Sequence, residues 1–332
     1  MRRIRLSAFV AAVVAASAIV GCSPSRQTIG PQNGVAKLAD DHFVTGDGVR
    51  LPYRVWLPRG KPKAVILAVH GMNEHSRAFA MPAASWRDAG IATYAYDQRG
   101  FGGAPQRGIW PGKAALVKDL KVMARLVRAR HPGAPVYLLG ASMGGGVVLT
   151  AIGGAEPIEV SGAILVAPAV WGRKTMPVLY PPVLWLTAHT VPWMAVTSDD
   201  IRRVPSDNTE MLRDLSRDPR VIKATRVDAI YGVVALMDTA LEAAAKVRVP
   251  VLLLYGEKDR IIPKKPTLAV LKRLPRTRRR TAIYRDGWHM LLRDLQRAVV
   301  HRDVAAWIAD KTAPLPSGAD RRDIKLLARE KD

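Results

Sequence analysis

The stretch Val136–Gly146 constrains the fold more than any other. Val136-Tyr137-Leu138-Leu139 is apolar enough for a buried strand, Gly140-Ala141-Ser142-Met143-Gly144 turns within a few residues, and Val147-Val148-Leu149 continues as a helix. A G-x-S-x-G turn between strand and helix holds its serine in a strained conformation. A side chain at Gly140 or Gly144 would crowd the strand against the helix. The helix start also leaves backbone N–H groups free, so the Met143 N–H is placed to meet a developing oxyanion. Ser142 is the candidate nucleophile. The plain alternative is a glycine-rich turn with an incidental serine.

The chain around this turn alternates between strand and helix patterns. His42–Val44 and Leu51–Leu57 read as a hairpin across Gly46-Asp47-Gly48. Ala64–Val69 is continuously apolar, as a central parallel strand buried on both faces requires. A helix over 78–89, a strand over Ile91–Tyr96 and an amphipathic helix over Gly112–His131 follow, the last with Leu116, Leu120, Met123 and Val127 on one face. After the elbow and a strand at Ala163–Val166, the rhythm breaks until about residue 241. It resumes with a strand over Val249–Tyr255, a helix from Thr267, a strand over Thr281–Tyr284 and a helix from Met290 to Ala309. Such alternation predicts an α/β fold: a doubly wound, mostly parallel sheet with an inserted helical cap. The core takes residues 41–167 and 241–311, the cap 168–240, and a charged, loose tail 312–332.

The N-terminus reads as an address. Arg2, Arg3 and Arg5 precede an apolar run from Leu6 to Val20 that ends in Ile19-Val20-Gly21-Cys22. This ending resembles the lipobox of bacterial lipoproteins, with residues 1–21 as signal peptide, Cys22 as the diacylated N-terminus and 22–40 as a tether. Ser23 in the next position resembles the outer-membrane sorting signal of Gram-negative bacteria. An ordinary signal peptide that happens to contain a cysteine is the alternative. Cys22 is the only cysteine among 332 residues, so the chain has no internal disulfide, thiol nucleophile or cysteine metal site. The formal charge is +23. The basic residues are scattered, without a basic helix or aromatic RNA-binding signature, which argues against nucleic acid and leaves anionic envelope surfaces or plain solvation.

An activated serine needs a base, and the base an orienting acid. In the strand–turn–helix architecture these follow in the order serine, acid, histidine, on loops at strand ends. Asp259 follows the apolar strand Val251–Tyr255, with Glu257 and Asp294 as rivals. His289 follows the last strand in Asp286-Gly287-Trp288-His289-Met290. The second oxyanion donor belongs to the loop after Val69, where His70-Gly71-Met72-Asn73 offers the Met72 N–H and His70 orders the loop.

His70-Gly71-Met72-Asn73-Glu74-His75-Ser76, Asp97-Gln98-Arg99-Gly100-Phe101-Gly102, Gly140-Ala141-Ser142-Met143-Gly144-Gly145, Ser216-Arg217-Asp218-Pro219 and Tyr255-Gly256-Glu257-Lys258-Asp259-Arg260 occur in the chain in that order. Together they resemble the monoacylglycerol lipase and lysophospholipase branch of the α/β-hydrolases, over roughly residues 41–310. The resemblance implies the α/β-hydrolase fold and cofactor-free serine hydrolysis of single-chain lipids or other small esters. Ser142 would be nucleophile, His289 base, Asp259 acid, and Met72 with Met143 the oxyanion donors. Two departures bear on substrate: many members have a small residue at the Met72 position, and a histidine where Ala141 stands. An acyltransferase with the same triad, an iminopeptidase of the same fold and a non-catalytic envelope binding protein are the other readings. The first iminopeptidase requirement, a glycine-proline-rich oxyanion loop, is missing.

The cap carries dense apolar material, including Trp171, Val178, Leu179, Tyr180, Val183, Trp185, Leu186, Trp193 and Met194. An acyl tunnel, a membrane-facing lip or simple docking on the core would each look like this. The basic cluster from Lys272 to Arg280 precedes the last strand, at the sheet end opposite the expected site, which leaves it membrane docking or solvation.

Overall fold

A computed structural model describes residues 23–197 and 203–322. The proposed signal peptide, Cys22 and the polar residues Ser198-Asp199-Asp200 lie outside the described residues. In chain order the strands are β1 (Lys37–Leu38), β2 (His42–Val44), β3 (Arg50–Trp56), β4 (Ala64–Val69), β5 (Ile91–Tyr96), β6 (Val136–Ala141), β7 (Gly162–Val166), β8 (Ala195–Thr197), β9 (Ala224–Arg226), β10 (Val251–Gly256) and β11 (Arg279–Tyr284). The α-helices are α1 (Ala80–Asp88), α2 (Lys113–Arg130), α3 (Met143–Gly153), α4 (Tyr180–Thr190), α5 (Thr209–Arg217), α6 (Val227–Ala243), α7 (Lys264–Arg273) and α8 (Arg297–Ala309).

Among the described residues, nine strands form one sheet in the order β1-β2-β3-β5-β4-β6-β7-β10-β11. The first three run antiparallel to their neighbours, and β5 through β11 pair in parallel. This is the expected doubly wound sheet. The runs read as doubly buried strands are so: every residue of β4, β5 and β10 is buried. Alternation divides them between two cores. Val65, Leu67 and Val69 pack with α2, α3, α6 and α7, whereas Ala64, Ile66 and Ala68 face α1 and α8 through Phe79, Trp86, Val304 and Trp307.

The structure redraws four expected boundaries. Helix α6 was expected inside the cap, but its inner face lies on α3: a Cβ at Gly153 would sit 2.1 Å from the Ala243 carbonyl, and one at Gly146 3.5 Å from Leu236. The inserted segment therefore leaves the core after β7 and returns by α6, with β8 and β9 as its own two-stranded sheet. At the N-terminus, β1 extends the sheet into the expected tether, and Gln27 N–H donates to the Trp110 carbonyl at 3.0 Å. At the other end, Leu315 and Ala319 are buried and Ser317 N–H donates to Asp303, so the tail docks as far as residue 322. The last helix starts late, at Arg297 instead of Met290: one turn closes from Asp294 N–H to Met290 O, but the Leu295 N–H that would continue it donates to Asp207.

Candidate active site

The elbow is built as its glycines require. Ser142 sits between β6 and α3 at φ 51°, a left-handed conformation costly for a side-chain-bearing residue. A Cβ on Gly144 would lie 2.0 Å from the Val69 carbonyl oxygen, and one on Gly140 2.4 Å from the Gly144 oxygen, so only glycine lets the strand and helix meet. Ser142 N–H donates to Val166 O at 3.0 Å, and its carbonyl accepts from Ala169 N–H at 2.8 Å. These bonds clamp the turn to the end of β7. Met143 is the first residue of α3, so its N–H stands outside the intrahelical ladder at the positive end of the helix.

The loop after β4 passes beside this serine. A Cβ at Gly71 would fall 3.4 Å from Ser142 Cβ. His70 is fully buried, as a loop-ordering residue should be. Its Nε2 accepts from the Gln98 N–H at 3.0 Å, so Nδ1 carries the proton and donates to the Gly71 carbonyl at 2.7 Å. Burial holds its pKa below the ordinary value despite nearby Asp97, consistent with this neutral tautomer. Pinning the Gly71 carbonyl toward His70 directs the Met72 N–H the opposite way across the same trans peptide.

The loops after β10 and β11 bring Asp259 and His289 together. His289 Nδ1 donates to Asp259 Oδ2 at 2.8 Å, with the carboxylate fully enclosed. Asp259 Oδ1 accepts the N–H groups of Ile261 at 2.7 Å and Ile262 at 3.0 Å, which fix the carboxylate plane. The rivals point elsewhere: Glu257 meets Arg322 at 2.8 Å, and Asp294 accepts from Ser206 Oγ at 2.6 Å and Trp288 N–H at 2.8 Å. Burial disfavours the imidazolium of His289, but the Asp259 carboxylate, with Glu74 adding, outweighs it and raises the pKa above the ordinary value.

Ser142, His289, Gly71 and Met72 line one cavity of about 610 Å³. The inserted segment roofs it with Val196, Leu212, Leu215, Val221 and Ile222, while α6 adds Ile230 and Val233. Of the readings open for the apolar residues around α4, the acyl tunnel fails, since none of them is among this lining. Val178, Leu179, Val183, Trp185, Leu186, Trp193 and Met194 face outward instead. A long apolar stretch reads alike in either place; the fold puts the outer surface of α4 away from the cavity.

Five contacts of the site have no signature in spacing. Asp218, inside the Ser216–Pro219 motif, accepts from His75 Nε2 at 3.0 Å and ties the roof to the loop after β4, as do Ile222 N–H to Asn73 O at 3.0 Å and Asn73 Nδ2 to Thr225 at 2.6 Å. Glu74 pairs with Arg293 at the cavity wall; burial raises the Glu74 carboxyl, but Arg293 outweighs this and holds it below the usual range. Pro205 O accepts the Met290 N–H at 3.0 Å, so the segment entering α5 straps the His289 loop. Among the described residues no cluster of histidine, cysteine and carboxylate side chains could hold a metal ion.

The chain is similar to known proteins in sequence and in fold. Residues 60–296 match the family Hydrolase_4, described as "Serine aminopeptidase, S33". The monoacylglycerol lipase of Mycolicibacterium smegmatis is 28% identical over 287 residues, covering 82% of this chain and 98% of that protein. The human monoglyceride lipase is 28% identical over 82% of this chain and 91% of its own length. Among solved structures, a soluble variant of the Saccharomyces cerevisiae monoglyceride lipase in complex with a substrate analog superposes with a TM-score of 0.69 at 21% identity, over 87% of this chain and 99% of that one. The Paleococcus ferrophilus monoacylglycerol lipase gives 0.64 at 22% identity, over 79% and 99%. The chain belongs to the Hydrolase_4 family and is a carboxylic ester hydrolase of the α/β-hydrolase fold.

Proposed function

We propose that this enzyme hydrolyses single-chain lipid esters of the monoacylglycerol or lysophospholipid kind through an acyl-enzyme on Ser142. The observation that carries the reading is a single mostly apolar cavity onto which open both the strained Ser142 and the His289 side chain held by Asp259. In this mechanism His289 Nε2 takes the Ser142 proton as Oγ attacks the ester carbonyl. Asp259 keeps the proton on Nδ1 and stabilises the imidazolium. The N–H groups of Met143 and Met72 hold the oxyanion, each donor worth about 3 kcal/mol of barrier. His289 then protonates the departing alcohol and activates the water that releases the fatty acid.

The family description raises an aminopeptidase reading, which the cavity charges disfavour. Capture of a substrate amine needs an unpaired carboxylate. Glu74 is the one acidic residue of the described lining, it is paired with Arg293, and Arg203 and Lys223 add positive charge. A neutral glycerol or an anionic phosphate headgroup suits such a wall. We also assign the enzyme to the bacterial envelope, anchored by a diacylated Cys22 and, in a Gram-negative cell, at the outer membrane, on the strength of the sequence Ile19-Val20-Gly21-Cys22-Ser23.

A panel of monoacylglycerols, lysophospholipids, short p-nitrophenyl esters and aminoacyl anilides tests the reading, run with and without added glycerol as acceptor. Fatty acid release from the single-chain lipids should dominate, with anilides untouched. Preferred cleavage of anilides would overturn it, and transfer to glycerol in place of release would reassign the enzyme as an acyltransferase.

A further inference from the structure

We infer that Asn73 is a positioning residue, which passes the fit of the acyl chain under the roof to the oxyanion donor Met72, so that acyl length is read in kcat. The inference rests on the reading of Ser142, His289 and Met72 as the machinery of a single-chain lipid hydrolase, and adds to it a residue that selects among such substrates.

The first observation is the turn that carries the donor. Glu74 N–H donates to the Gly71 carbonyl at 3.4 Å, so Met72 and Asn73 are the two central residues of a tight turn beside Ser142. Asn73 holds φ 68°, a conformation that asparagine tolerates better than most residues with a side chain. Among the described residues the Met72 N–H donates to no acceptor, which leaves it for the substrate. Its direction is set by what holds the turn. His70 holds the Gly71 carbonyl on one side, and Asn73 holds the other.

Asn73 is tied to the roof instead of to its own turn. Asparagine in a turn commonly bonds to neighbouring backbone. Here Nδ2 donates to Thr225 Oγ1 at 2.6 Å, and the Asn73 carbonyl accepts the Ile222 N–H at 3.0 Å. Ile222 and Thr225 both line the catalytic cavity. Thr225 is the middle residue of β9 and pairs with Val196 of β8, which lines it too. One residue thus joins the turn to the roof by main chain and side chain at once.

The roof is fastened at two ends. Helix α5 gives Leu212 and Leu215 to the cavity. The segment entering α5 is tied to the His289 loop: Pro205 O accepts the Met290 N–H at 3.0 Å, Ser206 Oγ donates to Asp294 at 2.6 Å, and Asn208 Nδ2 donates to the Arg293 carbonyl at 2.8 Å. The chain leaving α5 meets the Met72 turn through Asn73, with the His75–Asp218 contact beside it. An acyl chain below Leu212, Leu215 and Ile222 therefore bears on an element joined to both the base loop and the oxyanion loop. Binding energy from a remote, unreacting chain raises kcat only where it improves the transition state. Small displacements matter there, since a misplacement of about 1 Å can cost about 10²-fold. Several bonds make the base end, whereas the bonds nearest the donor all pass through Asn73.

The test uses the full chain on p-nitrophenyl acetate and p-nitrophenyl laurate: wild type, Asn73→Gly, Thr225→Val, Thr225→Ser and the double variant Asn73→Gly/Thr225→Val, with thermal melting to confirm folding. Glycine accepts the positive φ, so Asn73→Gly keeps the turn and removes the side-chain tie; Thr225→Val removes the same tie from the roof side. Wild type should show a higher kcat on laurate than on acetate. In both single variants kcat and kcat/KM for laurate should fall together, about tenfold relative to acetate, as for an interaction made in the transition state. Thr225→Ser keeps the hydroxyl and should keep the wild-type ratio. The double variant should lose no more than either single one, since both cut one link. A long-chain alkyl trifluoromethyl ketone, whose adduct with Ser142 places an oxyanion in the site, should bind more weakly by the same factor, while inhibition by free laurate stays as in wild type. A wild-type kcat indifferent to chain length, a ratio unmoved by Asn73→Gly, a loss confined to KM, equal losses on both esters, or the same loss in Thr225→Ser would overturn the inference. The reading beneath it fails separately: a wild type that turns over acetate but not laurate refutes the lipid hydrolase, whereas laurate turnover indifferent to Asn73→Gly leaves that reading standing and refutes the role of Asn73.

Discussion

Replacing Asp259 by Asn changes a single atom in the arrangement that orients the base. Asp259 Oδ1 accepts two backbone N–H groups, from Ile261 and Ile262, while Oδ2 accepts from His289 Nδ1. An asparagine must keep its oxygen toward the two backbone donors, because an NH₂ group there would leave three donors facing one another with no acceptor. Its NH₂ is then forced toward His289 Nδ1, where it can only donate. The imidazole shifts its proton to Nε2, the atom that must be free to take the Ser142 proton. The wrong tautomer costs about 10⁴ in kcat, the magnitude known from the equivalent substitution in a serine protease triad, or about 5 kcal/mol of barrier. The pH profile adds an independent check. His289 is raised by Asp259 against its burial, so in wild type the acidic limb of kcat/KM should fall above the ordinary imidazole pKa, activity being lost as pH drops through it. Removing the carboxylate leaves burial dominant and should move that limb to lower pH. Steady-state hydrolysis of a short p-nitrophenyl ester across pH, with thermal melting to confirm folding, reads both effects. A folded Asp259→Asn enzyme within about tenfold of wild type, or a limb displaced upward, would refute the account of how His289 is held.

Other perturbations test neighbouring parts of the structure. Gly144→Ala places a Cβ 2.0 Å from a backbone oxygen that has nowhere to go, and should cost about 3 kcal/mol or more, seen as a clear drop in Tm or loss of soluble protein. Ile222→Glu puts a charge in the apolar roof of the cavity. Its kcat/KM for long-chain monoacylglycerol should fall about tenfold or more while that for an acetate ester stays near wild type. Asp218→Asn removes the charged partner of His75 and loosens the roof from the Met72 loop. A loss of about one kcal/mol in stability, with a larger fall in kcat than in KM, is expected from urea unfolding and steady-state kinetics.

How much of this was legible in the sequence depends on how local each cause was. Ala64–Val69 and Ile91–Tyr96 have the expected limits because burial on both faces demands an unbroken apolar run. The elbow glycines were equally legible, since their reason is a backbone approach within a few residues. The start of α8 was not: Leu295 N–H goes to the Asp207 carboxylate instead of continuing the turn begun at Met290, and no periodicity in 286–300 reveals a partner so distant. The cap boundary failed for a similar reason. Val227–Ala243 is an apolar helix whose sequence fits a cap or a core layer, and only its packing on Gly146 and Gly153 decides. The apolar group around α4 fits a tunnel, a membrane-facing lip or simple docking on the core equally well by composition. Composition is the same on both sides of a roof, and which side meets the cavity is a tertiary fact. Glu74–Arg293 and His75–Asp218 pair residues far apart in the chain, so their identities were visible but their pairings were not.

The central claim is that Ser142 forms the acyl-enzyme. Incubating the enzyme with a fluorophosphonate and mapping the adduct by peptide mass spectrometry tests it directly, beside hydrolysis by Ser142→Ala. The account predicts one stoichiometric adduct on Ser142, its loss in Ser142→Ala, and a fall in ester hydrolysis of about 10⁶ in that variant. An adduct on another residue, or a folded Ser142→Ala enzyme that still hydrolyses the ester near the wild-type rate, would contradict it.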